Sequence, residues 1–91
     1  MEESNFTFGK KMTIAEFKNK TFSQRIDIKT NPKTGKNLMI NEVGILIGYV
    51  SPKCDLTQPV VISELISNET GDIVNCMHNP GISNIEAIAS F

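Results

Sequence analysis

A chain of 91 residues with 40% apolar and 21% charged side chains can build one core but not two, and is too rich in Ile, Leu and Val for a disordered tail. Its longest apolar stretches, Val43 to Val50 and Val60 to Ile66, fall far short of the roughly 20 residues that a membrane-spanning helix needs. The net charge of −1 argues against a strongly basic nucleic-acid binder, yet it hides a split: eight basic residues against four acids through Lys36 (+4), then Lys53 alone against six acids (−5).

The first residues, Met-Glu-Glu-Ser-Asn, have neither the basic start nor the apolar run of a signal peptide, so a cytoplasmic location is expected. In that reducing compartment Cys54 and Cys76 are expected as free thiols, and the sequons at Asn5, Asn19 and Asn68 are chance matches. Asn5-Phe6-Thr7-Phe8 alternates polar and aromatic residues; residues 1–11 are read as an N-terminal arm or an edge strand, and residues 12–91 as a single small β-rich domain.

Met12 to Phe17 carries a helix start: Thr13 as N-cap, Glu16 three residues on to close a capping box, and Met12 with Phe17 as a hydrophobic staple. The spacing predicts a helix from about Ile14 to Lys20. From Gln24 the period becomes two, with Ile26, Ile28 and Thr30 on one side and Arg25, Asp27 and Lys29 on the other, as in a half-exposed strand. Asn31 to Lys36, with Pro32 and Gly35, supplies a turn into a second strand over Asn37 to Ile40.

Ile45 to Val50 is apolar on both faces, which marks an inner strand, and Gly48 within it predicts a bend or bulge. Ser51 to Pro59, with a proline near each end, reads as irregular loop. Val60 to Ser67 and Ile73 to Met77 form a second predicted hairpin around Thr70-Gly71. After Asn79-Pro80-Gly81, the residues Ile82, Ile85, Ile88 and Phe91 recur every third position, compatible with a short helical turn or a final strand. The expected fold is therefore α+β and mainly β: about five antiparallel strands in a small barrel or half-barrel, with an N-terminal helix.

Several constellations along the chain are candidates for chemistry. Thr34-Gly35-Lys36-Asn37 has part of a phosphate-loop pattern, but Thr30 stands where the first glycine belongs and Asn37 where a hydroxyl belongs, so a hairpin turn is expected instead. Cys54, Asp55, Cys76 and His78 lack the clustered spacing of a zinc site; a buried cysteine and a half-exposed histidine are expected, with no metal or cofactor. His78 is the sole histidine, and no third group marks a catalytic constellation with Cys76 or a serine. The expectation is a protein that is not an enzyme.

The basic N-terminal third interleaves Phe6, Phe8, Phe17 and Phe22 with lysines and an arginine, the composition that a single-stranded nucleic acid needs for stacking and phosphate neutralisation. The competing structural reading assigns Phe17 to the staple, packs Phe22 beneath the helix and leaves the lysines as a solvated face. On the first reading, Lys18, Lys20, Arg25, Lys29, Lys33 and Lys36 bind weakly to single-stranded DNA or RNA. The alternative is a protein-interaction or self-assembly module, using the complementary charged halves and a partner-binding stripe of Ile82, Ile85, Ile88 and Phe91.

In outline such a small barrel resembles the OB-fold, an analogy of architecture that licenses no function. Asn31 to Lys36 before an apolar strand, with Val60-Ile62-Ser63-Glu64 and His78 to Gly81 downstream, resembles small uncharacterised β-rich proteins of bacterial and phage genomes. That resemblance implies a shape and no functional residues.

Overall fold

The computed structural model describes residues 6–81. They form β1 (Phe6–Met12), α1 (Ile14–Thr21), β2 (Asp27–Thr30), β3 (Asn37–Ile40), β4 (Leu46–Val50), β5 (Val61–Ser67) and β6 (Ile73–His78). The six strands make one sheet in the order β1-β5-β6-β4-β3-β2. All neighbours are antiparallel except β4 and β6, which run parallel with Tyr49 beside Cys76 and Val50 beside Met77.

This corrects the expected barrel of about five antiparallel strands: the sheet is open, mixed and six-stranded. The physical reason lies in two connections. The tight β5–β6 hairpin brings β6 in beside β4, and the chain between β1 and β2 carries those two strands to opposite edges, where they do not pair with each other. The aromatic alternation at the N-terminus pairs as a strand, with Phe6 opposite Ser67 and Met12 opposite Ile62, and a bulge lies between Phe8 and Lys11.

Helix α1 begins as its cap residues dictate. The Thr13 N–H donates to Glu16 Oε1 at 2.8 Å and the Glu16 N–H donates to Thr13 Oγ1 at 3.1 Å, which satisfies two N–H groups that an unadorned helix start leaves open. The first of these bonds holds the Glu16 carboxyl below its ordinary pKa. Thr13→Ala should lower the unfolding free energy by about 1 kcal/mol, read as a lower midpoint in urea with an unchanged slope.

At its other end the helix closes in a left-handed residue. The Phe22 N–H donates to the Asn19 carbonyl and the Ser23 N–H to the Lys18 carbonyl, the paired bonds of a Schellman stop. Glycine usually occupies that position; here it is Phe22, at φ 58°.

The core lies on the sheet face that the helix covers. Met12, Met39, Val50, Ile62 and Met77 pack there with Phe17, while Leu65 and Cys76 form a smaller cluster with Phe6, Phe8 and Val74. Cross-strand register puts the second cluster on the opposite face.

Gly48 marks the predicted irregularity. Met39 faces Gly48 but Ile40 faces Leu46, leaving Ile47 as the extra residue of a bulge. The Asn75 side-chain amide donates to the Ile47 carbonyl at 3.2 Å and so satisfies a ladder acceptor at the bulge.

The two hairpins close by the same device. Asn31 N–H donates to the Lys36 carbonyl and Gly35 N–H to the Asn31 carbonyl; Ser67 N–H donates to the Asp72 carbonyl and Gly71 N–H to the Ser67 carbonyl. Gly35 and Gly71 supply the positive φ, 72° and 77°, that ends such a turn.

Candidate nucleic-acid interface

The six cations singled out from the sequence divide by element. Lys18 and Lys20 lie in the last turn of α1, where cations offset the helix dipole. Lys20 is committed to Glu64 of β5 by an ion pair. That bond, with a second from the Lys10 N–H to the same carboxylate, holds Glu64 below the ordinary carboxylate range. Arg25 pairs with Asp27 at 3.1 Å, and its backbone N–H, like that of Gln24, donates to Glu42 Oε1.

Lys29 is exposed on β2, the outermost strand, and Lys33 and Lys36 are exposed on the turn that follows it. Arg25, Lys29, Lys33 and Lys36 therefore succeed one another along one border of the sheet, with Lys18 at the helix end from which the connection to β2 departs. Lys20 faces away to its own partner. Ile82, Ile85, Ile88 and Phe91, the predicted partner-binding stripe, lie outside the described residues.

Phe22 departs from the expectation that it packs beneath the helix: its side chain is 92% exposed. The cause is the helix stop. With the backbone left-handed at Phe22, it is Ser23 that turns inward and becomes buried. Phe22 lines a groove of about 430 Å³ with Lys18, Asn19, Ser23 and Gln24. An aromatic ring held open to solvent beside a cation is what one unstacked base requires. In the sequence, nothing local distinguishes a phenylalanine at a helix stop from a phenylalanine of the core.

A second aromatic surface lies on the sheet face away from the helix. Phe6, Lys36, Tyr49 and Val74 line an apolar cavity of about 230 Å³. Lys29 lines a different groove on β2 and β3 with Pro32, Leu38, Ile40 and Leu46.

The interior holds a polar pair of its own. Ser63 Oγ and His78 Nε2 are 2.9 Å apart, and His78 Nδ1 is 3.0 Å from the Asn79 carbonyl. A carbonyl only accepts, so Nδ1 carries a proton, and in the neutral ring Nε2 accepts from the Ser63 hydroxyl. This corrects the expected half-exposed histidine: His78 is 1% exposed and Ser63 3%. The register puts His78 opposite Val61 and Ser63 opposite Cys76, a diagonal neighbourhood on one face that satisfies both polar groups internally.

The pair has the contacts of a serine–histidine dyad, and both side chains are buried. Cys76 beside it is buried, and that burial pushes its thiol up to about 12, far from a reactive thiolate at neutral pH. Cys54 is raised too, again by burial first.

Among the described residues no three His, Cys, Asp or Glu side chains gather as a metal would need, and no helix is long and apolar enough to cross a membrane. No family model, no curated protein and no solved structure matches the chain.

Proposed function

We propose that the protein is a small non-enzymatic domain that binds single-stranded nucleic acid weakly along the β2 border, from the end of α1 to the tip of the first hairpin. The observation that carries this reading is Phe22, an aromatic side chain 92% exposed at a left-handed helix stop and grooved against Lys18. Non-glycine residues in that conformation are uncommon, and an outlier of this kind is a reason to look for function. Phe22 stacks one base; Lys18, Arg25, Lys29, Lys33 and Lys36 neutralise successive phosphates. Lys20, held by Glu64, contributes least.

Stacking and charge leave different signatures in a titration of labelled single-stranded DNA and RNA oligomers across a salt series. Phe22→Ala should weaken binding by roughly 5- to 150-fold, the range of a single base stack, with the salt slope unchanged. Lys33→Glu combined with Lys36→Glu should instead flatten the slope, by about 0.7 log units of affinity per log unit of salt for each phosphate no longer neutralised. Absence of binding at low salt, or a Phe22→Ala protein that binds as the parent does, would overturn the reading.

A further inference from the structure

The two hairpin tips are structural twins with inverted charge. Asn31-Pro32-Lys33-Thr34-Gly35-Lys36 and Ser67-Asn68-Glu69-Thr70-Gly71-Asp72 close with the same pair of backbone bonds, 2.8 and 2.7 Å in the first and 2.8 and 2.9 Å in the second. Lys33 in one turn occupies the place of Glu69 in the other, and Lys36 that of Asp72. All four are exposed residues.

Strand direction puts these tips at opposite ends of the sheet. β2, β4 and β6 run one way and β3 and β5 the other, so the first tip lies beyond the end of β2 and the second beyond the end of β5. Each tip has a neighbouring loop. Beside the basic tip is the loop after β4, which carries Lys53 and an exposed Leu56; beside the acidic tip is the β3–β4 turn, where Val43 and Ile45 are exposed near Ile73. The two tips are thus opposite in sign, and each lies beside exposed apolar side chains, although Asp55 accompanies Lys53 in the loop near the basic tip and Arg25 is bonded to Glu42 of the turn near the acidic one.

We infer that the basic end of one copy docks on the acidic end of a second, with Lys33 and Lys36 facing Glu69 and Asp72. Such a contact is heterologous: each copy in a pair leaves one end unused, basic on one and acidic on the other, so the contact propagates into open chains rather than closing as a two-fold dimer. Charge complementarity sets the register, and the exposed Leu56, Val43, Ile45 and Ile73 are withdrawn from water in the contact. Loops alone bury little surface, so the association is of the weak, transient class.

The test is the weight-average mass of the 91-residue protein by sedimentation equilibrium, at concentrations up to about 1 mM and at low and high salt. The parent should grow in mass with concentration at low salt and revert to monomer at high salt. Glu69→Lys with Asp72→Lys should stay monomeric, as should Lys33→Glu with Lys36→Glu; mixing the two should restore association. A single protein carrying all four substitutions should associate by itself. A parent that remains monomeric throughout, charge variants that associate as the parent does, or a mixture without recovery would overturn the inference. Glu69 and Asp72 lie away from the β2 border, so Glu69→Lys with Asp72→Lys separates this inference from the nucleic-acid reading: that protein should lose self-association and keep binding oligomers.

Discussion

Phe17→Ala should lower the unfolding free energy by about 3–5 kcal/mol, the usual cost of emptying a buried phenylalanine site. Phe17 is 0% exposed and is the one buried residue of α1, packed among Met12, Met39, Val50, Ile62 and Met77. An eight-residue helix is too short to persist by itself, so the ring is what fastens the helix to the sheet. Calorimetry should show a fall in the melting temperature of about 12 °C or more. Far-ultraviolet circular dichroism before the transition should lose its helical component if α1 detaches while the strands remain. A protein that melted within a few degrees of the parent would show that the helix is fastened by something other than this side chain.

Gly48→Val runs against strand propensity and should be destabilising by more than the roughly 1–3 kcal/mol typical of overpacking. A β-carbon at Gly48 would stand 2.5 Å from Met39 Cε, 2.8 Å from the Asn75 carbonyl oxygen and 3.1 Å from Asn75 Cβ. Met39 Cε is the end of a flexible side chain, but the carbonyl belongs to the backbone of β6 and is fixed in the sheet. Gly48→Ala should already show the effect in urea denaturation. Gly35→Ala is the control: a β-carbon there meets nothing within 4 Å, so its smaller cost comes from the positive φ alone. If Gly48→Val proved as stable as the parent, the close approach of β4, β3 and β6 at this point would be wrong.

What could be read from the sequence was what neighbours along the chain decide. Thr13 with Glu16 starts the helix, Gly35 and Gly71 close the hairpins, and Gly48 sits at a bulge, because caps, turns and bulges are made by residues a few positions apart. The parallel contact of β4 with β6 and the placement of β1 and β2 at the two edges of the described sheet depend on which distant strands find each other, and no local pattern encodes that choice. The same limit explains Lys20, whose partner Glu64 is 44 positions away, and His78, whose place beside Ser63 follows from strand register. Phe22 escapes the sequence for another reason: hydrophobicity argues for burial, whereas the left-handed stop turns the ring outward.

Strand β1 has a temporal consequence. Among the described residues its partner is β5, and Phe6 pairs with Ser67, far along the chain, whereas each hairpin joins strands separated by a short turn. Loop-closure entropy delays contacts between distant segments until nearer ones have formed. A chain made from its N-terminus therefore presents Phe6 and Phe8 well before β5, the strand that pairs with them, has been made. Throughout that interval the backbone groups of β1 that β5 will pair are open, and the β1 segment is a place for a chaperone's shelter during synthesis.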